Sequence, residues 1–420
     1  MIARRDPVTL AHLILVPWAV AAVVGCVWTA VRVHPFDHFL PVAVAGCAGI
    51  LVLALPMPRR WRLAAGVVLG IALRLLAHDS LTGGQLHGDA IYNEQLSANL
   101  LAGNGLTVDL PGYGPDIRGM YPPVYILALA AVRAIGAGEL LLNLLADLSA
   151  AAALFKLSRG NERAAIAYFL FPSVVLASIE PLKEGLAIAL MLIAMCLVRR
   201  PLAFGVLAGL VALTQPAWTP VPLIAFAILE RRPRAIGVAL LGALAVLLPW
   251  WVRNALVFGQ FVPLTTSAGF SLWVAVFGTY QAVAAAPMNE VALSAETGRA
   301  ALAAIWADPG AYLARVAGTA PFTLALDSEM SALVGPERAP WVGASANACN
   351  AAWAALIAWS ASKRAEVDRQ WLAFAAGWMV AISLGVWFEF SPRHRAFAVP
   401  LLLLWASAQS RLAKKTEVAS

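Results

Sequence analysis

Apolar runs long enough to cross a lipid bilayer recur along almost the whole chain. A hydrocarbon core about 30 Å thick needs roughly 20 apolar residues of helix, and runs near that length recur from Leu10 to Ala408. Inside lipid such a run must be a helix, because a helix satisfies its own backbone hydrogen bonds. The pattern predicts an all-α fold, a polytopic membrane bundle of about 12 transmembrane helices.

Composition and charge support a membrane protein and exclude a nucleic-acid partner. Hydrophobic residues make up 61% of the chain and charged residues 13%, far from the usual soluble composition. The net charge of +7 comes mainly from short loops between apolar runs, which is the positive-inside pattern. We therefore expect both termini and these loops in the cytoplasm. The basic loop residues are Arg59, Arg60, Arg62, Arg199, Arg200, Arg231, Arg232, Arg234, Lys363, Arg364, Arg369, Arg411, Lys414 and Lys415.

The same reasoning divides the chain into two N-terminal transmembrane helices at 1–60, a membrane core at 61–410 and a cytoplasmic tail at 411–420. Two polar outer loops are predicted, at about 78–121 and about 253–340, with juxtamembrane helices in both. Two crossings within 122–157 leave basic residues outside, so either one run is partial or re-entrant, or the charge bias fails there. Between the outer loops the predicted runs are Pro122–Ile135, Leu140–Leu157, Ala164–Ala177, Leu182–Val198, Pro201–Leu213, Ala217–Leu229 and Ala235–Trp251.

Acidic, basic and aromatic residues concentrate in one polar stretch, His87 to Tyr125. Such groups beside a bilayer indicate a functional site. Asp89 precedes a predicted amphipathic helix whose apolar side carries Ile91, Leu96, Leu100 and Leu101. Two interpretations of Asp89 remain open: an N-cap of that helix, or a carboxylate at the mouth of the bundle that acts as a general base. Asp109 and Asp116 lie in a Gly/Pro-rich loop and are interpreted as turn residues, and Pro122 with Pro123 as a helix start.

Three segments carry a resemblance to a known family. They are DAIYNEQLSANLLAGNGLT followed by YPPVYILALAAVRAIGAG, then SIEPLKEGLAIAL, then PWWVRNALVFGQFVPLTTSAGFSLW. Together they resemble, in the expected order, the GT-C glycosyltransferases that use polyprenyl-phosphate sugars. These include the protein O-mannosyltransferases and the lipid A aminoarabinose transferases. The resemblance covers Trp61 to about Gly278.

The resemblance implies an inverting glycosyltransferase of the bacterial plasma membrane whose active site faces the periplasm or outside. Asp89 is then the base, a polyprenyl-phosphate sugar is the donor, and a lipid, glycan or protein is the acceptor. The leaving phosphate needs positive charge near it. Candidates for binding the donor phosphate are Arg253, Arg118, Lys183, Arg393 and Arg395. Snorkelling to lipid headgroups is the alternative for each of these side chains.

Four residues are candidates for positioning the acceptor or sugar: Tyr92, Glu184, Tyr121 and Trp273. For Glu184 a local ion pair with Lys183 is the alternative. Ala90 follows Asp89 where relatives often have Glu, so we expect no obligatory metal, and divalent-metal dependence stays open. The competing functions are a flippase or transporter of lipid-linked sugars and a noncatalytic envelope-assembly protein. Polar groups gathered at one face favour the enzyme, because a transporter more often has them near the midplane.

Overall fold

Helices follow one another through nearly all of the chain that the computed structural model describes. The described residues are 56–78, 86, 88–110, 114–230, 232–277 and 289–319, with isolated positions at 49, 52–53, 397, 399–401, 403–404 and 407. The predicted runs at 10–31 and 341–387 lie outside them.

The helices are α1 Arg59–Ala77, α2 Asp89–Leu101, α3 Pro123–Ala134, α4 Glu139–Leu157, α5 Glu162–Phe169, α6 Pro172–Ala177, α7 Glu184–Cys196, α8 Pro201–Ala212, α9 Pro220–Leu229, α10 Pro233–Phe258, α11 Ala268–Phe277, α12 Glu290–Ala307 and α13 Pro309–Thr319. A proline opens several of them, α3 after Pro122 among these, as predicted. Proline suits the first helical position because its φ is already helical and no partner is needed there for an N–H.

Prolines and one glycine set helix ends that the apolar pattern missed. The predicted run Ala164–Ala177 is two short helices, α5 and α6, because Pro172 cannot continue the hydrogen-bond ladder of α5. The run predicted to end at Trp251 continues to Phe258 and ends at Gly259, which has a left-handed φ of 67°. Glycine tolerates that conformation without strain.

The first outer loop contains a short antiparallel hairpin, which departs from the all-α prediction. Strand β1 (Val108–Leu110) pairs with β2 (Gly114–Ile117). Asp116 has φ 59° and its backbone N–H donates to Asp109 Oδ1 at 3.0 Å. Asp109 lies within β1 and Asp116 within β2, so the interpretation of these two residues as turn residues is wrong. Their hydrogen bond instead links the two strands of the hairpin.

Among the described residues, two helices, α4 and α10, are long and apolar enough to cross a membrane. Most of α10 is not covered by protein: Leu241 is 64% exposed and Leu256 is 81% exposed. Apolar surface of this extent is unfavourable in water and suits a lipid environment. A membrane bundle of about 12 helices stays a prediction.

The second helix leaves part of its predicted apolar side uncovered by protein, as a helix lying on a membrane surface would. Its buried side consists of Ala90, Asn93, Leu96 and Ser97, whereas Ile91 is 44% exposed. Small and polar side chains together with Leu96 therefore face the protein, and the rest of the predicted apolar side is at least partly exposed. This orientation turns Asn93, and with it the start of α2, toward the turn before α7.

Candidate active site

Asp89 is the first residue of α2, and the cap position belongs to Gly88, where no side-chain cap bond is made. The interpretation of Asp89 as the N-cap is therefore wrong. Its carboxylate instead contacts two other segments. The Tyr121 hydroxyl donates to Asp89 Oδ1 at 3.1 Å, and Lys183 Nζ lies 3.6 Å from Asp89 Oδ2.

The turn that carries Lys183 is tied to its neighbours through its backbone. Asn93 Nδ2 of α2 donates to the Pro181 carbonyl at 2.8 Å. From α4, Asn143 Nδ2 donates to the carbonyls of Ser178 at 3.1 Å and Glu180 at 2.6 Å. Buried carbonyls are costly without such partners. These bonds hold the turn at a defined distance from α2, and so hold Lys183 beside Asp89.

The Tyr121 ring borders the carboxylate, and the Tyr92 ring lies beside Tyr121. The Tyr92 and Tyr121 ring centroids are 5.9 Å apart, and Lys183 Nζ lies 5.7 Å from the centre of the Tyr121 ring. The Asp89 side chain keeps 23% of its surface exposed, and the Lys183 side chain 11%. The site therefore offers an ionisable carboxylate, a cation and phenol groups in one place that solvent or substrate can reach.

Lys183 pairs with Asp89, so the predicted local ion pair between Lys183 and Glu184 is wrong. Glu184 is the first residue of α7 and is fully buried. A buried carboxylate needs compensating contacts, and Glu184 directly follows Lys183 in the chain. Its predicted role in positioning an acceptor stays a prediction.

Arg253 lies on α10, inside the stretch that resembles the family motif. Its guanidinium donates to Asn254 Oδ1 at 2.9 Å and sits 4.7 Å from the centre of the Trp250 ring. The ring nitrogens of Trp250 and Trp251 donate to the carbonyls of Leu264 and Pro263, each at 2.6 Å. These two bonds hold the segment after α10 back against that helix. The sequence pattern did not indicate this role for the two tryptophans.

Arg118 follows the hairpin and forms an ion pair with Asp116, where both side chains are about half exposed. The hydrogen bond from Arg118 is the main cause that lowers the pKa of Asp116, with a second contribution from Thr107. The Arg118 backbone N–H donates to Glu290 Oε1 at 2.8 Å. Sequence reasoning missed Glu290, since a Glu in the first turn of a helix is common there for reasons of the helix dipole alone.

The other predicted residues are not joined to this group by the contacts of the described chain. Trp273 of α11 packs against Phe277, with ring centroids 4.1 Å apart, and Arg393 and Arg395 lie outside the described residues. Among the residues that the structure describes, no group of three or more His, Cys, Asp or Glu side chains is arranged to hold a metal ion. The expectation that no metal is obligatory therefore stays a prediction.

Comparison with known proteins gives one likeness. No protein-family model matches the chain, and no curated protein matches it. Among solved structures, the crystal structure of ArnT from Cupriavidus metallidurans bound to undecaprenyl phosphate matches with 16% sequence identity and a TM-score of 0.39. The match covers 84% of this chain and 79% of that chain.

Proposed function

We propose that this chain is a GT-C type membrane glycosyltransferase that moves a sugar from a polyprenyl-phosphate donor to a lipid, glycan or protein acceptor. The single observation that carries the proposal is the meeting of separate motif segments at one carboxylate. Asp89, Tyr121 and Lys183 come from distant parts of the sequence, yet Asp89 contacts both of the others. Packing alone gives no reason to bring a partly exposed acid, a cation and a phenol together beside a bilayer.

In the proposed reaction Asp89 accepts the proton of an acceptor hydroxyl, whose oxygen attacks the anomeric carbon of the donor sugar. The bond between that carbon and the phosphate oxygen breaks, the configuration inverts, and polyprenyl phosphate leaves with the bonding electrons. A general base in hydrogen-bond reach of the hydroxyl contributes about 10²–10⁴-fold. The Tyr121 hydroxyl keeps the carboxylate oriented.

Positive charge is required where the phosphate leaves. Lys183 is the cation of the site itself, and its 3.6 Å separation from Asp89 Oδ2 is longer than a tight ion pair, so it can also contact a phosphate. Arg118 and Arg253 are proposed as further phosphate contacts. In this proposal the chain lies in the bacterial plasma membrane with the site at its outer face. The reaction is expected to need no metal.

The proposal is tested with purified protein in lipid nanodiscs, using a panel of labelled undecaprenyl-phosphate sugars and an envelope lipid and glycan extract as acceptor. Wild type should release undecaprenyl phosphate and label a product from one donor. Asp89→Asn should lower the transfer rate by about 10²–10⁴-fold and leave binding of undecaprenyl phosphate largely intact.

The matched control is Asp308→Asn, because Asp308 is an exposed acid whose Oδ1 accepts from the Ala311 N–H at 2.9 Å, and an Asn oxygen can keep that bond. It should transfer at the wild-type rate. Unchanged transfer by Asp89→Asn would remove Asp89 from the mechanism. In sealed proteoliposomes, donor movement across the bilayer without any labelled product would favour a transporter instead.

A further inference from the structure

The Glu290 carboxylate, at the start of α12, receives hydrogen bonds from both outer segments. The backbone N–H groups of Arg118 and Gly119 donate to its two oxygens at 2.8 and 2.9 Å. The Thr266 hydroxyl donates to Glu290 Oε2 at 2.6 Å. Glu290 is buried, and bonds to an ionised acceptor are roughly twice as strong as neutral ones.

A second set of contacts joins the same two segments of the chain. The Thr266 backbone N–H donates to the Gly119 carbonyl at 2.8 Å. A Cβ at Gly119 would lie 2.7 Å from the Phe258 ring and 2.9 Å from the Thr266 methyl group. Only glycine fits this approach without displacement of the neighbours. The loop before Tyr121 is thus fixed by hydrogen bonds and by direct packing.

The helix that carries Glu290 is itself firmly placed. Its cap, Asn289, accepts from the Ala292 N–H at 2.8 Å. Against α11 the backbones touch, since a Cβ on Gly269 would lie 1.8 Å from the Ser294 carbonyl oxygen. The Gly269 N–H also donates to Ser294 Oγ at 3.1 Å. The helix therefore holds Glu290 in a fixed position, which a residue that positions a functional site requires.

We infer that Glu290 is a positioning residue that couples the second outer segment to Asp89 through the 118–121 loop. It fixes the Arg118 and Gly119 amides, Tyr121 follows two residues later, and the Tyr121 hydroxyl is the donor to Asp89 Oδ1. This inference rests on the proposed function. Glu290 touches no reacting group in it, and its effect on transfer passes through Tyr121.

The loop contacts are tested without any substrate by hydrogen exchange with mass spectrometry on the full chain in nanodiscs. Glu290→Gln turns one of the carboxylate oxygens into an amide nitrogen, which faces a backbone donor and cannot accept from it. Exchange in peptides that cover 118–121 should accelerate by about tenfold or more. Thr266→Val, which removes one donor and keeps its backbone bond, should accelerate it less.

The control is Glu296→Gln, because Glu296 lies exposed on the same helix. It should leave exchange at 118–121 unchanged. Exchange that stays at the wild-type rate in Glu290→Gln overturns the inference. If Glu290→Gln proves too unstable to purify, the smaller acceleration expected for Thr266→Val decides the same point.

The link to Asp89 is tested by a double-mutant cycle on the transfer rate. Tyr121→Phe and Glu290→Gln should each slow transfer by about tenfold, and the double variant should be no slower than Tyr121→Phe alone, because both changes remove the same effect. Multiplying effects, or wild-type transfer by Glu290→Gln, overturn the positioning role. If wild type transfers no sugar, the proposed function fails, and the exchange measurement still decides whether Glu290 holds the loop.

Discussion

Two acid–base pairs in this chain have similar chemistry and different surroundings. Arg74 of α1 and Asp147 of α4 form a pair with Nη2 to Oδ2 at 2.6 Å, and each side chain is 1% exposed. Lys183 and Asp89 are 3.6 Å apart, at 11% and 23% exposure. The first pair is closed off from solvent, whereas the second, which we call the open pair, is partly exposed, mainly at Asp89.

The cations of the two pairs also differ in the number of partners that hold them. The Arg74 guanidinium also donates to the carbonyls of Gly70 at 3.0 Å and Phe169 at 2.9 Å, and stacks 4.2 Å from the Phe169 ring centre. A planar guanidinium with several fixed acceptors is a rigid structural element. Lys183 has a flexible stem and a single carboxylate partner among the described residues. The comparison assigns the buried pair to the fold and the open pair to the chemistry.

The largest expected effect is on stability, from breaking the buried pair. Asp147→Ala leaves the Arg74 charge buried without its carboxylate, which costs about 3–5 kcal/mol. The thermal unfolding midpoint in nanodiscs should fall sharply. Asp89→Ala, the matched change at the open pair, should cost no more than about 1 kcal/mol. Equal losses for the two variants would erase the distinction.

A double replacement separates the charge from the packing at the buried pair. Arg74→Met combined with Asp147→Leu removes both charges and keeps much of the volume. Stability should return to within about 1–2 kcal/mol of wild type, because an apolar pair often replaces a buried ion pair at little cost. Failure to recover would mean that the backbone bonds of Arg74, and not its charge balance, dominate.

The second largest expected effect is on the transfer rate, from removing the lysine of the open pair. Lys183→Met should lower the transfer rate by on the order of 100-fold, because a preorganised cation near the leaving phosphate is lost. The free energy of unfolding should change by less than about 1 kcal/mol. Lys156→Met, at an exposed lysine of α4, is the control and should leave transfer unchanged. A stability loss from Lys183→Met like that of Asp147→Ala would contradict its assignment to the chemistry.

The smallest effect concerns a third pair, Arg118 with Asp116, which is more exposed than the other two. The pKa of Asp116 is lowered from its ordinary 3.8, so the pair stabilises the fold above pH 3.8 and loses that contribution as the pH falls through the lower folded value. Asp116→Asn should therefore reduce the unfolding midpoint slightly at neutral pH and not at all at strongly acid pH. A midpoint difference that grows on acidification would have the wrong sign.

The sequence predicted the helices of the core well where the apolar pattern and prolines agree. Pro123 and Pro201 begin helices as expected, and the run at 140–157 is the observed α4 within a residue. It failed at 164–177, because hydropathy measures burial and does not sense the missing N–H of Pro172. It also failed to predict the hairpin, because three or four residues of strand lie below any reliable periodic signal.

For the site, the residues alone left Asp89 open between an N-cap and a general base, and the family resemblance favoured the base and Arg253. The need for positive charge near the leaving phosphate added Lys183. Glu290 could not be found in this way. It lies 172 residues from Arg118 along the chain, and its bonds go to backbone amides, which every residue type offers. Contacts of that kind leave no pattern of residue types for a sequence reading to detect.

The sequence by itself determined that the chain is mostly apolar helix and that one polar stretch begins near Asp89. Both follow from local composition and spacing. Only the tertiary structure decided which side chains meet at Asp89, and that the ion pair of Lys183 is with Asp89 and not with Glu184. The physical reason is that partners at long sequence separation are chosen by helix packing and by hydrogen bonds to the backbone, neither of which is written at any single position.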